Sequence, residues 1–217
     1  MNDRQRTPPT PARGLLALAN AAMSLKAEPR TGWLDRGVNP DWVESVADHS
    51  FGVALLAWAG AMERRHAGAA LDPTRVMMLA LIHDLSEAAT GDLPPYEAAA
   101  VPGEADPAAR REFLNRRHVR GAANAAAKRA NEDTAMTGFL ETLSPATRAA
   151  LIDLWEELQA GASREAQFVK QVDRLETFLQ SRRYLDEEPS LPMDSFRQEV
   201  EETIDDPLLA AMRDASP

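Results

Sequence analysis

Residues 80–97 read ALIHDLSEAATGDLPPYE, and their reading decides what kind of fold the chain adopts. Asp72-Pro73 opens the segment as a helix start: the aspartate caps free backbone N–H groups, and proline at the first helical position has its φ preset. From there Val76, Leu79, Ala80 and His83 repeat at i, i+3, i+4 and i+7, the spacing of one helix face. Gly91 supplies the stop, ahead of the prolines at 94 and 95. On such a helix His83 and Glu87 stand four residues apart and share a face, with Asp84 at its rim. Two readings are open at this point. One is a helix with a polar edge and a sharp stop; the other is a metal site carried by the helix.

Helical signals continue on both sides, and strand signals do not, since there is no alternating β-branched run and no Asn-Gly hairpin. A polar, proline-rich stretch at 1–13 reads as a flexible N-terminal arm, and apolar spacing predicts a helix over 14–27. Residues 28–42, EPRTGWLDRGVNPDW, read as a loop broken by Pro29, Gly32, Gly37 and Pro40. A second helix is predicted from about Val43 to His66. Asp106-Pro107 opens an Ala- and Arg-rich helix through RREFLNRRHVRGAANAAAKRA (110–130). Ser144-Pro145 opens one that turns Leu151, Leu154, Trp155 and Leu158 inward and ends at Gly161. Ser163 caps another, whose stripe is Phe168, Val172, Leu175 and Leu179. A weaker helix follows Met193, and 206–217 reads as a C-terminal tail. The pattern predicts an all-α single domain.

Bulk composition narrows the classes. A chain of 217 residues builds one sizeable core. With 34 acidic against 24 basic residues the net charge is −10, which argues against a nucleic-acid polymer as partner, because that needs a basic surface to displace counterions. A small phosphorylated ligand needs only a few local arginines or lysines. There is no cysteine, so disulfides, Cys-ligated zinc and thiol nucleophiles are excluded. No stretch is long and apolar enough to span a bilayer, and the expectation is a cytoplasmic protein.

Two other segments bear on the choice left open by His83. VADHSF (46–51) sets His49 beside Asp48, and FVKQVDRLE (168–176) sets Asp173 within an apolar stripe. An ionised aspartate among Phe168, Val172 and Leu175 is costly to bury without a cation or hydrogen-bond partners. One metal ion would answer all these oddities together, and imidazole with carboxylate ligands suits Mn, Fe, Co, Ni or Zn. Other residues read more plainly: His66 and His118 as solvated surface, and the arginines at 110, 111, 116, 117 and 120 as a solvated helix face. Trp42, Trp58 and Trp155 read as core or interface aromatics.

The order His49, His83-Asp84, Asp173 on successive helices resembles the HD-domain metal-dependent phosphohydrolases. The wording is closer than the bare motif: PRTGW, ESVADHSFGVALLA, LALIHDLSEAATGDLPP and EAQFVKQVDRLETFLQ are similar to the HD-domain 5′-deoxynucleotidases, over roughly residues 14–185. The resemblance implies a helical HD-domain bundle, here drawn over 14–205, that forms a homodimer. It implies a divalent metal, Mn, Co, Mg, Fe, Ni or Zn, bound at His49, His83, Asp84 and Asp173. It also implies roles for Glu87 and Asp92 in catalysis or in holding a second ion. The stretch between Asp84 and Asp173 is longer than in that family. The excess falls in a helical insertion at about 100–137, placed to reshape the pocket mouth or the dimer contact.

The function so implied is removal of the 5′-phosphate from (deoxy)nucleoside monophosphates by a metal-activated water. Glu87 is placed to orient or deprotonate that water, or to protonate the leaving group. Arg30 reads as a bidentate phosphate ligand and Trp33 as a surface for sugar or base, against the plainer reading of a surface arginine and a core tryptophan. The alternatives are an HD-domain hydrolase of a triphosphate, cyclic or alarmone nucleotide, a di-iron oxygenase, or a nucleotide-binding module without turnover.

Overall fold

The computed structural model describes residues 11–216, so the first ten residues of the expected arm lie outside the described residues. Within them the chain is helical, and the one β-type contact is an isolated bridge between Pro29 and Ser45. The starts are written locally. Asp72 accepts from Thr74 N at 2.9 Å to begin α4 (Pro73–Ile82). Asp106 caps α6 (Pro107–Asn115), Ser144 caps α8 (Pro145–Ala160) and Ser163 caps α9 (Arg164–Glu187), each through its side-chain oxygen. Each such cap is worth roughly 0.5–2 kcal/mol. Gly161 closes α8 at φ 59, the left-handed region open to glycine.

α9 is the axis of the bundle. Its buried Phe168, Val169, Val172, Leu175 and Phe178 meet Val53, Ala57 and Ala61 of α3 (Val46–His66) and Val76, Leu79 and Ala80 of α4 in one core. Fully burying a side chain such as Leu79 or Leu175 contributes about 1.5–3 kcal/mol. A smaller core joins Trp33, Val38, Tyr184, Leu191 and Met193 on the far side of α9. α1 (Pro11–Ser24) packs on α7 (Ala122–Leu140), and α10 (Asp194–Thr203) lies along α9. No helix among the described residues is long and apolar enough to cross a membrane.

Several expectations are corrected. The second helix begins at Val46 rather than Val43, because Ser45 and Asp48 form a reciprocal capping box there. The loop over 28–42 contains α2 (Thr31–Asp35). Its first N–H is met from far along the chain: Thr31 N donates to Asp92 Oδ2 at 2.6 Å, a cap that local sequence does not announce. The helix through 80–90 is cut. His83 Nδ1 lies 2.7 Å from Ala80 O, the acceptor that Asp84 N would use in a continuing helix. The backbone tightens to i→i−3 bonds, Leu85 N to Ile82 O and Glu87 N to Asp84 O, before α5 (Glu87–Thr90).

The single helix expected over 110–130 is two, α6 and α7, parted at 116–121. The expected tail at 206–217 contains α11 (Pro207–Ala215), capped by Asp206 and anchored by Leu209, which is 1% exposed. Trp155 is core, whereas Trp42 and Trp58 are exposed. Three of the five arginines, Arg110, Arg117 and Arg120, are half-buried rather than a solvated face, while Arg111 and Arg116 are exposed as expected. Arg110 donates to Asp35 O at 2.8 Å, Arg111 to Ser190 O, Arg117 to Glu202 and Arg120 to Leu93 O at 3.0 Å, and only Arg116 makes an exposed i,i−4 pair, with Glu112. His118 is also no surface residue: it packs against Phe113 and Tyr96 and lies 2.8 Å through Nε2 from Phe113 O.

Candidate active site

His49 sits in the first turn of α3, 0% exposed. Gly52, one turn on, lets α9 come close: a Cβ there would stand 2.5 Å from Glu176 Oε1. That approach sets Glu176 Oε2 2.6 Å from His49 Nδ1. With the Nδ1 proton shared to Glu176, the Nε2 lone pair is free. His83 is keyed in the same way: a carbonyl only accepts, so its Nδ1–H donates to Ala80 O and its Nε2 is the free nitrogen.

The two free nitrogens face each other at 3.3 Å. Asp173 Oδ1 lies 3.1 Å from His49 Nε2, and Asp84 Oδ2 lies 3.2 Å from His83 Nε2 and 3.6 Å from His49 Nε2. Two imidazole lone pairs cannot hydrogen-bond to each other, so the cluster needs protons or a cation. In the protonated form the pKa of His49 is raised to about 10: burial and Arg30 oppose the charge, and the hydrogen bonds it donates to Asp173 and Glu176 override them. His83 is raised against the same burial, chiefly by Asp84. The Asp84 and Asp173 carboxylates are held below their usual range, burial being outweighed by the two imidazoles. Nitrogen and oxygen ligands with outer partners fixing each tautomer are what a divalent first-row metal takes, and the residues fit one.

The expected site residues are thus brought together, with differences of detail. Asp173 is not sealed in the apolar stripe; its side chain is 38% exposed at the stripe's edge. Glu87 is buried, and because the helix is cut its Oε1 turns toward α7, 3.8 Å from Lys128 Nζ, while Oε2 is buried without a hydrogen-bond partner among the described residues. Burial and repulsion by Asp84 and Asp92 push its carboxyl well above the usual range, against Arg30 and Lys128. Asp92, after Gly91 at φ 71, spends its side chain on Thr31 N. Arg30 reaches Asp84 Oδ2 at 3.4 Å and Thr177 Oγ1 at 3.3 Å, and the surrounding carboxylates raise its pKa further despite burial. Trp33 is 1% exposed in the smaller core, edge-on to Tyr184, with Nε1 donating to Glu44 Oε1 at 2.7 Å.

Sequence reasoning missed Glu176, Thr177 and Lys128. The first two stand three and four residues beyond Asp173 on α9, a spacing that shares its face and could have found them. Lys128 lies on a separate helix with no local signal. A cavity of about 340 Å³ opens beside the cluster, lined among others by Arg30, Trp33, Asp92, Tyr96, His118 and Thr177.

An all-α bundle that gathers His49 with the adjacent His83-Asp84 pair, and sets Asp173 beside His49, is a helical domain with a candidate metal centre. The chain belongs to the HD-domain 5′-deoxynucleotidase family, the HD domain matching residues 22–211. It is 34% identical over 173 residues to the 5′-deoxynucleotidase HDDC2 of Mus musculus, covering 80% of this chain and 71% of that protein. It is 24% identical to the 5′-deoxynucleotidase YGK1 of Saccharomyces cerevisiae, covering 78% and 66%. Among solved structures, a conserved hypothetical protein from Pyrococcus furiosus superposes with a TM-score of 0.66 at 27% identity, covering 92% of this chain and 96% of that one.

Proposed function

We propose that the chain is a 5′-nucleotidase that hydrolyses (deoxy)nucleoside 5′-monophosphates, with a divalent cation held by His49 Nε2, His83 Nε2, Asp84 and Asp173. The observation that carries the reading is the placement of Arg30, an obligate cation at the cluster's edge and on the wall of the 340 Å³ cavity. That volume is at the lower end for small-molecule sites, right for one nucleoside monophosphate and not for a polymer. The relatives named 5′-deoxynucleotidase support the same substrate class.

A bound divalent cation, Mn, Co, Mg, Fe, Ni or Zn, supplies Lewis acidity, acidifying a water and neutralising phosphoryl charge. The chain's residues do the rest. Arg30 turns its guanidinium from Asp84 and Thr177 to the phosphate oxygens, a charge-assisted contact. Glu87 accepts the proton of the attacking water at Oε2, the carboxylate oxygen left without a hydrogen-bond partner among the described residues. The new O–P bond forms as the bond from phosphorus to the 5′-oxygen breaks, and that oxygen leaves into the 340 Å³ cavity, where solvent protonates it. Asp92 holds α2, and with it Arg30, against the loop after Gly91.

The dimer belongs to the same reading. Phe51, Leu55, Trp58 and Met62 form a stripe at i, i+4, i+7 and i+11 on the outer face of α3, each at least 38% exposed. A second copy covering this stripe would bury it. Trp58→Glu then yields a monomer by sedimentation, and a wild-type monomer removes the dimer from the reading. For the reaction, inorganic phosphate release is measured over a panel of ribo- and deoxyribonucleoside monophosphates with each divalent metal. Release from monophosphates that stops with chelator is expected, and pyrophosphate or triphosphate release would reassign the reaction.

A further inference from the structure

Asp173 stands between two chambers, and the function above uses one. On α9 its C-terminal neighbours Arg174 and Thr177 line the 340 Å³ cavity. Its N-terminal neighbours Val169 and Lys170 line a second chamber of about 190 Å³. His83, Asp84, Lys128 and Glu132 also face this chamber, so the ligand cluster forms part of its wall. It falls below the ~300 Å³ at which small-molecule sites begin, too little for a nucleotide.

Part of what Lys170 does is structural: its ammonium sits at the C-terminal end of α8, where Gln159 O is one of the last carbonyls, and this uses little of its donor capacity. Its Nζ gives one of three donors to Gln159 O at 3.2 Å, and no ion pair to a carboxylate is present among the described residues. Gly161 makes the room: a Cβ at that position would stand 3.2 Å from Lys170 Nζ. Burial and the nearby Arg174 and Arg129 disfavour its charge, and Asp173 alone attracts it. A cation so placed is set for an anion that is not part of the chain. Lys128 adds a second ammonium on the same wall, though it is already engaged by Glu132 and Glu87.

We propose that this smaller chamber is an oxyanion site that receives inorganic phosphate after the ester is cut, with Lys170 as its principal ligand. The assignment rests on the phosphomonoesterase reading above. Attacking and leaving oxygens lie in line across phosphorus. With the nucleoside in the larger cavity, water attacks from the far side of the cluster, and the phosphoryl group moves toward that side as its configuration inverts. Glu87 belongs to that side through Lys128. Release of phosphate through this chamber makes and breaks no further covalent bond.

The test titrates inorganic phosphate into the metal-loaded protein by calorimetry, comparing wild type with Lys170→Met and with Lys170→Gln, which keeps an N–H for Gln159 if the first variant is unstable. Loss of one charge-assisted contact weakens phosphate binding by about tenfold or more. Metal content and the affinity of a phosphate-free deoxynucleoside stay at wild-type values. In turnover the inhibition constant for phosphate rises by the same factor, with KM for the monophosphate unchanged. Equal phosphate affinity in wild type and variants, or no binding by wild type, overturns the proposal, as does a parallel rise in KM, which would put Lys170 in the substrate site. Phosphate bound through Lys170 by a protein that cuts no monophosphate would leave the chamber standing and remove the phosphomonoesterase reading instead.

Discussion

The two walls of the larger cavity are built by different rules. The inner wall hangs on one regular helix, Asp173 and Thr177 standing on one face of α9, and the cluster behind it is completed by His49 from the first turn of α3 and His83 from the end of α4. The outer wall, 93–96 and 116–118, is irregular chain on either side of α6, held in place by arginine side chains that donate to backbone carbonyls. Arg110 holds Asp35 O and Pro102 O, and Arg120 holds Leu93 O and Pro94 O. Side chains on packed helices keep their positions because the core over-determines them. A wall held by a few partly exposed hydrogen bonds opens at lower free energy. The chemistry therefore sits on the rigid side and the mouth on the pliable one.

The largest expected effects are on the inner wall. His83→Ala or Asp173→Ala loses bound metal and with it detectable phosphate release. Because the ligands come from three helical elements, the thermal midpoint of the metal-loaded protein falls to that of the chelated wild type. Full metal occupancy in both variants would show that the four residues are not the ligand set. Next in size is Glu87→Gln. It keeps the metal, and turnover drops by roughly 10²–10⁴-fold, the usual range for a lost proton-transfer group. Metal analysis beside kcat decides the matter: normal turnover with normal metal takes Glu87 out of the reaction.

The same division explains what was legible in the sequence. Caps and stripes are local, so α4, α6, α8 and α9 start where Asp72, Asp106, Ser144 and Ser163 stand. The proximity of His49, His83, Asp84 and Asp173 was legible through motif order, and Glu176 and Thr177 were within reach at i+3 and i+4 from Asp173. Three things lie outside caps and stripes. The break at His83 depends on its side chain taking the Ala80 carbonyl. The α2 helix depends on a carboxylate sixty-one residues away in sequence. The arginine-rich run reads as a solvated face until its carbonyl acceptors, on distant segments, are known. Helix α11 was legible but unread: Asp206-Pro207 is the same start signal as Asp72-Pro73.

Arg30 lies where the walls meet, and its variant sharpens the contrast. Arg30→Ala removes a charge-assisted contact worth about 1.5–3 kcal/mol, a rise of roughly ten- to a hundredfold in KM. Metal content is unchanged, since Asp84 keeps His83 as its neighbour at 3.2 Å. Unaltered kinetics would return Arg30 to a purely structural bridge between Asp84 and Thr177.

The smallest effect belongs to the outer wall. Arg120 Nη2 donates to Leu93 O at 3.0 Å and also to Pro94 O, and Leu93 and Pro94 line the cavity. Both contacts are partly open to solvent, so water replaces the guanidinium when it is removed, and Arg120→Ala costs about 0.5–1.5 kcal/mol at most. That loss is local. Amide hydrogen exchange over 93–121 speeds up in the variant, while exchange in α3, α4 and α9 stays at wild-type rates. KM for nucleoside monophosphates rises a few-fold at most, with kcat and metal content intact, because no residue of the cluster touches Arg120. If exchange instead accelerates across α9, or metal is lost, the two walls are one cooperative unit and the contrast between them fails.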